Sequence, residues 1–308
     1  MTKSVDTRLA TVFNTRKLAR IVGVSTALGL ATAIVPSARA VDVDAGDYTA
    51  MPAGTNLGLV YYQHAERKSL YADGHKAPLD ARLDSDVGIL RGVHFMQLGD
   101  YIIDPQFLLP FGSLRGKDDT KSLGDDSGIG DLILASTVWL VNEPAKRRYF
   151  GITPYVYVPT GSYDNDHALN LGENRWKYTL QAGYIQGLTD KLTLDLVADV
   201  TFFGKNDEYG PAKATLKQSE LFQGQAFLRY NFTDAFDVRL GVSRLWGGET
   251  KVDGLRQDDE PDTSKFSVGA SYFVTPGTQL LVNYGQDMSV ENGFKEDNRL
   301  NLRILQVF

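Results

Sequence analysis

The feature that most constrains this chain is a repeated pattern: stretches of period-two alternation joined by connections that are short, then long, then short again. Alternation of apolar and polar residues marks a strand, because successive side chains point to opposite faces. About twelve such stretches recur, at 54–65, 85–98, 101–114, 129–141, 149–160, 174–188, 192–204, 217–231, 236–248, 264–275, 278–288 and 299–308. The short connections are Gly99-Asp100, Asn142 to Arg148, Thr189-Asp190-Lys191, Thr233-Asp234-Ala235 and Pro276-Gly277, and they carry turn residues. The long ones are Glu66 to Asp84, Arg115 to Gly128, Gly161 to Glu173, Lys205 to Leu216, Gly247 to Thr263 and Asp287 to Asn298. An up-and-down barrel in an outer membrane gives this alternation, with tight turns at one rim and loops at the other. The last stretch alternates Leu300, Leu302 and Ile304 with Asn301 and Arg303, and the chain stops on Phe308. Such an aromatic end is expected as the assembly signal of a closing strand, with Gln306 as its one weak position. The expected fold class is therefore all-β: a transmembrane up-and-down antiparallel β-barrel of about 12 strands, with both ends of the barrel, Phe308 included, on the periplasmic side.

The faces of the later strands separate cleanly. Leu192, Leu194, Leu196, Ala198, Val200 and Phe202 oppose Asp195, Asp199 and Thr201; Phe236, Val238, Leu240 and Val242 oppose Asp237, Arg239 and Ser243. A Lys or Arg facing lipid at mid-membrane costs about 2–4 kcal/mol, so the charged faces are expected to look inward. The resulting candidate lumen lining is Arg175, Lys177, Asp195, Asp199, Arg229, Asp237, Arg239, Lys265, Asp287 and Arg303 with Tyr155 and Tyr157. Phe203, Phe227 and Phe273 are further inward aromatics. This set suits either a polar channel or a ladder of ion pairs filling a narrow barrel, since twelve strands fall between filled small barrels and open porins. The stretches 85–98 and 101–114 are less regular: Arg91 shares a face with Val87, Ile89 and Val93, and Phe107-Leu108-Leu109-Pro110-Phe111 is apolar on both faces. There the lumen is expected to be packed, or the register to differ.

Residues 1–40 are expected to be a cleaved signal peptide. A basic start (Arg8, Arg16, Lys17, Arg20) precedes the uncharged run Ile21 to Val35, and Ala38 and Ala40 stand at −3 and −1 of a cleavage site. Residues 41–53 then form a periplasmic lead-in, and 54–308 the outer-membrane barrel. Absent cysteine fits an exported protein and removes disulfide and thiol-metal readings. The net charge of −6 argues against a nucleic-acid partner. The expected partners are outer-membrane lipid and lipopolysaccharide, the barrel-assembly machinery and a small-molecule solute.

The sequence offers no catalytic, metal or cofactor constellation. The four histidines, His64, His75, His94 and His167, lack metal spacing. No Ser stands two residues from a His on a strand, and no Gly-x-Ser-x-Gly elbow occurs, so the chain is expected not to be an enzyme. The acidic clusters Asp118-Asp119, Asp125-Asp126, Asp164 to Asp166, and Asp258-Asp259-Glu260 with Asp262 fit no standard calcium loop and read as solvated loop charge.

Two local patterns carry a family resemblance. One is Gly128-Ile129-Gly130-Asp131-Leu132, opening a strand that runs to Trp139-Leu140. The other is Pro159-Thr160-Gly161-Ser162-Tyr163 with Asn170-Leu171-Gly172-Glu173-Asn174-Arg175-Trp176. Together they resemble the outer-membrane transporters labelled as the meta-pathway of phenol degradation, over roughly 54–308. The resemblance implies a barrel that helps aromatic or other hydrophobic compounds enter, and it implies no catalytic residues. The motif's own role is expected to be architectural, with Pro159 and Gly161 ending one strand at the rim and Trp176 anchoring the next. A structural or surface-interaction barrel with a closed lumen stays open as the alternative.

Overall fold

A computed structural model describes residues 42–308, so the expected signal peptide with Ala38 and Ala40 lies outside the described residues. Twelve long strands make the wall: β1 Asn56–Ala72, β2 Ala81–His94, β3 Tyr101–Asp118, β4 Leu132–Glu143, β5 Arg148–Val158 and β6 Lys177–Gly187, then β7 Leu192–Phe203, β8 Leu221–Asn231, β9 Phe236–Gly247, β10 Asp262–Thr275, β11 Thr278–Val290 and β12 Gly293–Val307. Each pairs antiparallel with its chain neighbour, and β12 pairs with β1 from Leu57 opposite Val307 to Tyr71 opposite Gly293. Closure removes every free edge, which a backbone in hydrocarbon requires. At the seam, the Asn56 carbonyl accepts from the Phe308 N–H at 2.9 Å, and the Phe308 ring lies against Gly58.

The outer surface is the apolar face expected for lipid. Leu180, Leu196, Leu228, Leu240, Val242, Val282 and Leu302 are all exposed. Aromatics ring both ends of this band. Trp176 stacks on Tyr178 at 6.5 Å and Phe222 on Trp246 at 5.9 Å at one rim. Tyr230, Phe232, Phe236 and Tyr272 form a chain of ring contacts at the other.

Two expectations need correction. The predicted long connection Asp287 to Asn298 is a tight turn at Glu291-Asn292, and the predicted connection Glu66 to Asp84 is mostly strand, since β1 runs to Ala72 and β2 starts at Ala81. The strands β1–β3 and β12 rise beyond the lipid band, where the pattern inverts. Leu70, Leu83, Leu114 and Phe294 point inward and pack together, while charges face outward. A reading keyed to apolar residues outside therefore loses the strand. The second correction is topological: the lead-in Asp42–Ala53 does not lie outside the barrel but folds into its lumen, because its acidic and aromatic side chains find their partners there.

Candidate functional site: the lumen and the two segments that fill it

The inward positions of the wall bring the predicted lining residues together and pair nearly all of them. Arg229 holds Asp195 through two hydrogen bonds of 2.7 and 2.9 Å, across the β7–β8 pair. Arg239 binds Asp237 and the Ser271 hydroxyl. Lys265 lies 2.7 Å from Glu296 and 3.8 Å from Asp287. Asp199 accepts from Gln181 at 3.1 Å. Tyr155 donates to the same Gln181 side chain at 3.1 Å, and Lys177 stacks over the Tyr157 ring at 4.4 Å. On β3, Leu108 is buried against Ile133, Tyr155 and Tyr157, so the lumen is packed where both faces of that strand are apolar.

Sequence reasoning missed the occupant of this lumen. A turn at Ala45–Tyr48 carries the lead-in back on itself, with Gly46 at φ +96° and the Arg229 guanidinium so close that a Cβ would sit 3.2 Å from it. Only glycine meets both conditions comfortably. Three carboxylates on the segment then meet the arginines of the wall. Asp42 pairs with Arg299 at 2.6 Å, Asp44 with Arg303 at 3.0 Å, and Asp47 with Arg303 at 2.9 Å and Arg91 at 3.1 Å. The Ala45 carbonyl accepts from Arg239 at 2.9 Å. Tyr48 is 4% exposed. Its hydroxyl bonds Thr153 at 2.9 Å and Gln181 at 3.0 Å, and its carbonyl accepts from the Trp139 indole at 3.0 Å. Its ring rests on Gly183, where a Cβ would overlap it, and lies close to Gly151, where a Cβ would sit 3.2 Å away. The signal in the sequence was Asp42-x-Asp44-x-x-Asp47 set directly before a barrel with inward arginines.

Beside the segment lies a cavity of about 80 Å³, lined in part by Asp44, Asp47, Tyr61, Arg91, Phe227 and Arg303. That volume holds a few waters and no aromatic ring.

The outer mouth is filled by the connection between β5 and β6, residues 159–176. Its Leu169 and Leu171 are buried with Leu70, Leu83, Leu114 and Phe294 at the top of the lumen. The two motifs that stand far apart in the sequence meet here. Asp131 accepts from the Gly161 and Glu173 amides at 3.0 Å each. Gly161 and Gly172 touch backbone to backbone, and a Cβ on either would lie 2.7 Å from the other. Glu173 then reaches Arg175 and Lys177. Burial alone would raise the Glu173 carboxyl, but Lys177 and Arg175 outweigh it and hold its pKa at about 2. Outside this junction a vestibule of about 470 Å³ opens between the loop and the hairpin Asn206–Gln218, with Tyr163, Tyr209, Pro211, Leu216 and Arg175 on its walls.

The histidines lie elsewhere. His64 and His94 are on the outer wall, bonded to Asp86 and Asn56, and His75 and His167 are in loops. Among the acidic clusters, Asp259 is buried and accepts from the Thr250 amide and hydroxyl, a structural tie within a loop. No group of three or more potential metal ligands occurs among the described residues.

A closed twelve-stranded barrel with an apolar outer band, two aromatic girdles and a charged, occupied lumen defines an outer-membrane β-barrel protein. The chain belongs to the family described as "Putative MetA-pathway of phenol degradation", whose model matches residues 68–304. It is similar to the solved COG4313 outer membrane channel from Pseudomonas putida F1, with 45% identity over 87% of this chain and 100% of that one and a TM-score of 0.84. A "CymD monoaromatic hydrocarbon channel" also matches, with 12% identity over 83% of this chain and 88% of that one and a TM-score of 0.42. No curated protein matches the chain significantly.

Proposed function

We propose that the protein is an uptake channel for small aromatic or hydrophobic compounds, and that it opens when the Asp42–Ala53 segment leaves the lumen and the loop 159–176 moves from the outer mouth. The observation that carries this reading is the nature of the obstruction. The lumen is occupied by a separate segment held through side-chain contacts, with a cavity of about 80 Å³ beside it. Removing the segment would uncover Arg91, Arg239, Arg299 and Arg303 together with Tyr61, Tyr155 and Phe227, a surface with both cationic and aromatic character. The family label, and the uptake role it implies, agree with that surface.

The closed-lumen alternative rests on the packing of Tyr48 with Trp139, Tyr149, Ile185 and Val197. Planar-bilayer recording and liposome uptake of benzoate and phenol separate the two. Uptake predicts conductance from the intact protein, larger and more persistent conductance after deletion of residues 42–53, and slower growth of a deletion strain on aromatic compounds. Tight bilayers with both forms, and unchanged uptake in the strain, would establish the closed barrel instead.

A further inference from the structure

The outer wall carries a feature that transport does not use. Above the lipid band, on one side of the barrel, β1–β3 turn charged residues outward: Glu66 and Lys68, Arg82, Asp84 and Asp86, Arg115 and Lys117. Just below them stand Tyr62 and Phe111, exposed aromatics of the upper girdle, flanking Gly88. Tyr62 ties the two zones together by donating to Asp86 at 2.7 Å. Arg115 lies four residues along β3 from Phe111. At about 3.4 Å per residue and a strand tilt of about 40°, that is about 10 Å above the girdle, the level of lipid headgroups.

The charges are sorted by depth. The acids lie against the wall, with side-chain exposures of 25% for Glu66, 7% for Asp84 and 28% for Asp86. The bases reach past them, at 48% for Lys68, 49% for Arg115 and 43% for Lys117. Lys117 is 2.6 Å from Asp84, and Arg82 bridges Asp84 and Glu66. Lys68 is 2.9 Å from Glu66, so these pairs hold the cations at fixed positions with their side chains partly exposed. Arg115 is the least committed: it donates to Ser113, and its nearest carboxylate, on Asp86, is 3.7 Å away. Asp297 accepts from the Lys68 amide and borders the patch. The bases are thus the outermost charges of a patch in which Glu66, Asp84, Asp86 and the bordering Asp297 balance Lys68, Arg82, Arg115 and Lys117, and Asp125 stands opposite Arg115 on the neighbouring strand.

We propose that this patch binds the phosphorylated headgroup of an outer-leaflet glycolipid, with Arg115 and Lys117 on the phosphate and Phe111 and Tyr62 against its acyl chains. Arginine and lysine above an apolar, aromatic belt match a ligand that is anionic at one end and hydrocarbon at the other. The four basic residues come from three adjacent strands, so the site is set by the rigid wall and not by a loop.

The test uses the full-length protein in phosphatidylcholine vesicles doped with lipid A, either diphosphorylated or dephosphorylated, and measures bound lipid A and thermal unfolding. Diphosphorylated lipid A is expected to bind and raise the melting temperature, and the dephosphorylated form to bind about tenfold more weakly. Free inorganic phosphate is expected to have no effect, which separates a lipid site from an ion site. The double variant Arg115→Ala/Lys117→Ala is expected to lose the phosphate-dependent part of the binding. Should that variant fail to fold, the comparison of lipids on the native protein still decides. Equal binding of both lipids, an equal shift with free phosphate, or a folded double variant that binds like the native chain would each overturn the proposal.

Discussion

Tyr48 and Glu173 each hold one closure of the lumen by a few polar contacts. Replacing Tyr48 by Phe removes a buried hydroxyl that bonds Thr153 and Gln181. Both partners keep others, since Thr153 also donates to Thr137 and Gln181 also binds Tyr155 and Asp199. The loss should therefore be about 1 kcal/mol, which raises the population of the withdrawn segment about fivefold. In the bilayer, Tyr48→Phe should open more often than the native channel with unchanged single-channel current. Glu173 makes a pH prediction. Its carboxyl pKa is lowered to about 2 in the folded loop. A depressed carboxylate contributes stability that is complete above its unfolded pKa and lost as pH falls through the folded one. Protease cleavage within 159–176 should thus stay constant from neutral pH down to about pH 5, and rise between about pH 4.5 and pH 2. Glu173→Gln should be cleaved readily at all these pH values.

At the scale of elements, the loop 159–176 depends on backbone contact as much as on charge. A methyl at residue 172 would meet the Gly161 backbone at 2.7 Å. Gly172→Ala should therefore cost about 1–3 kcal/mol of local stability and free the loop while leaving the strands intact. Hydrogen exchange would then rise at Leu169 and Leu171 and stay unchanged on β7–β9. The elements also show where the sequence could be read. The strands β6–β10 were legible because one face meets lipid and the other meets water or charge, so the period-two signal is clean. The strands β1–β3 were not, because their upper parts stand above the membrane with Leu83 and Leu114 inward and Arg82 and Arg115 outward. The turn Glu291-Asn292 was hidden for the same reason: a polar run looks like a loop even when it is paired strand. The charged face of each later strand could be read residue by residue. The lumen's occupant could not, since an acidic lead-in looks solvent-exposed until the arginines that receive it are placed around one axis. The motifs around Asp131, Gly161 and Glu173 could be recognised, but that they meet follows only from the register of β4 against β5.

For the whole molecule, closure of the ring is the central event, and the seam lies where the chain's last residue meets its first strand. Phe308 bonds Asn56 through the backbone and covers Gly58 with its ring. Gln306 by contrast donates and accepts only at the turn, taking a hydrogen bond from Thr278 at 2.7 Å. Deleting Phe308 should therefore cut the yield of heat-modifiable, membrane-inserted barrel severalfold, whereas Gln306→Tyr should leave the yield near native. Equal yields on semi-native gels would argue against an assembly role for the terminal aromatic.

The pairing of the lumen segment also fixes an order of events. Asp42 and Asp44 lead β1, yet their arginines, Arg299 and Arg303, belong to β12, the last strand made. Asp47 draws on Arg303 and on Arg91 of β2, so it spans the seam from inside. Until β12 arrives, Asp42 and Asp44 lack their arginines, although the Tyr48 pocket, Arg91 and Arg239 are already in place. The full set of ion pairs on the segment is therefore expected only once the ring has closed, so the chain's beginning settles last.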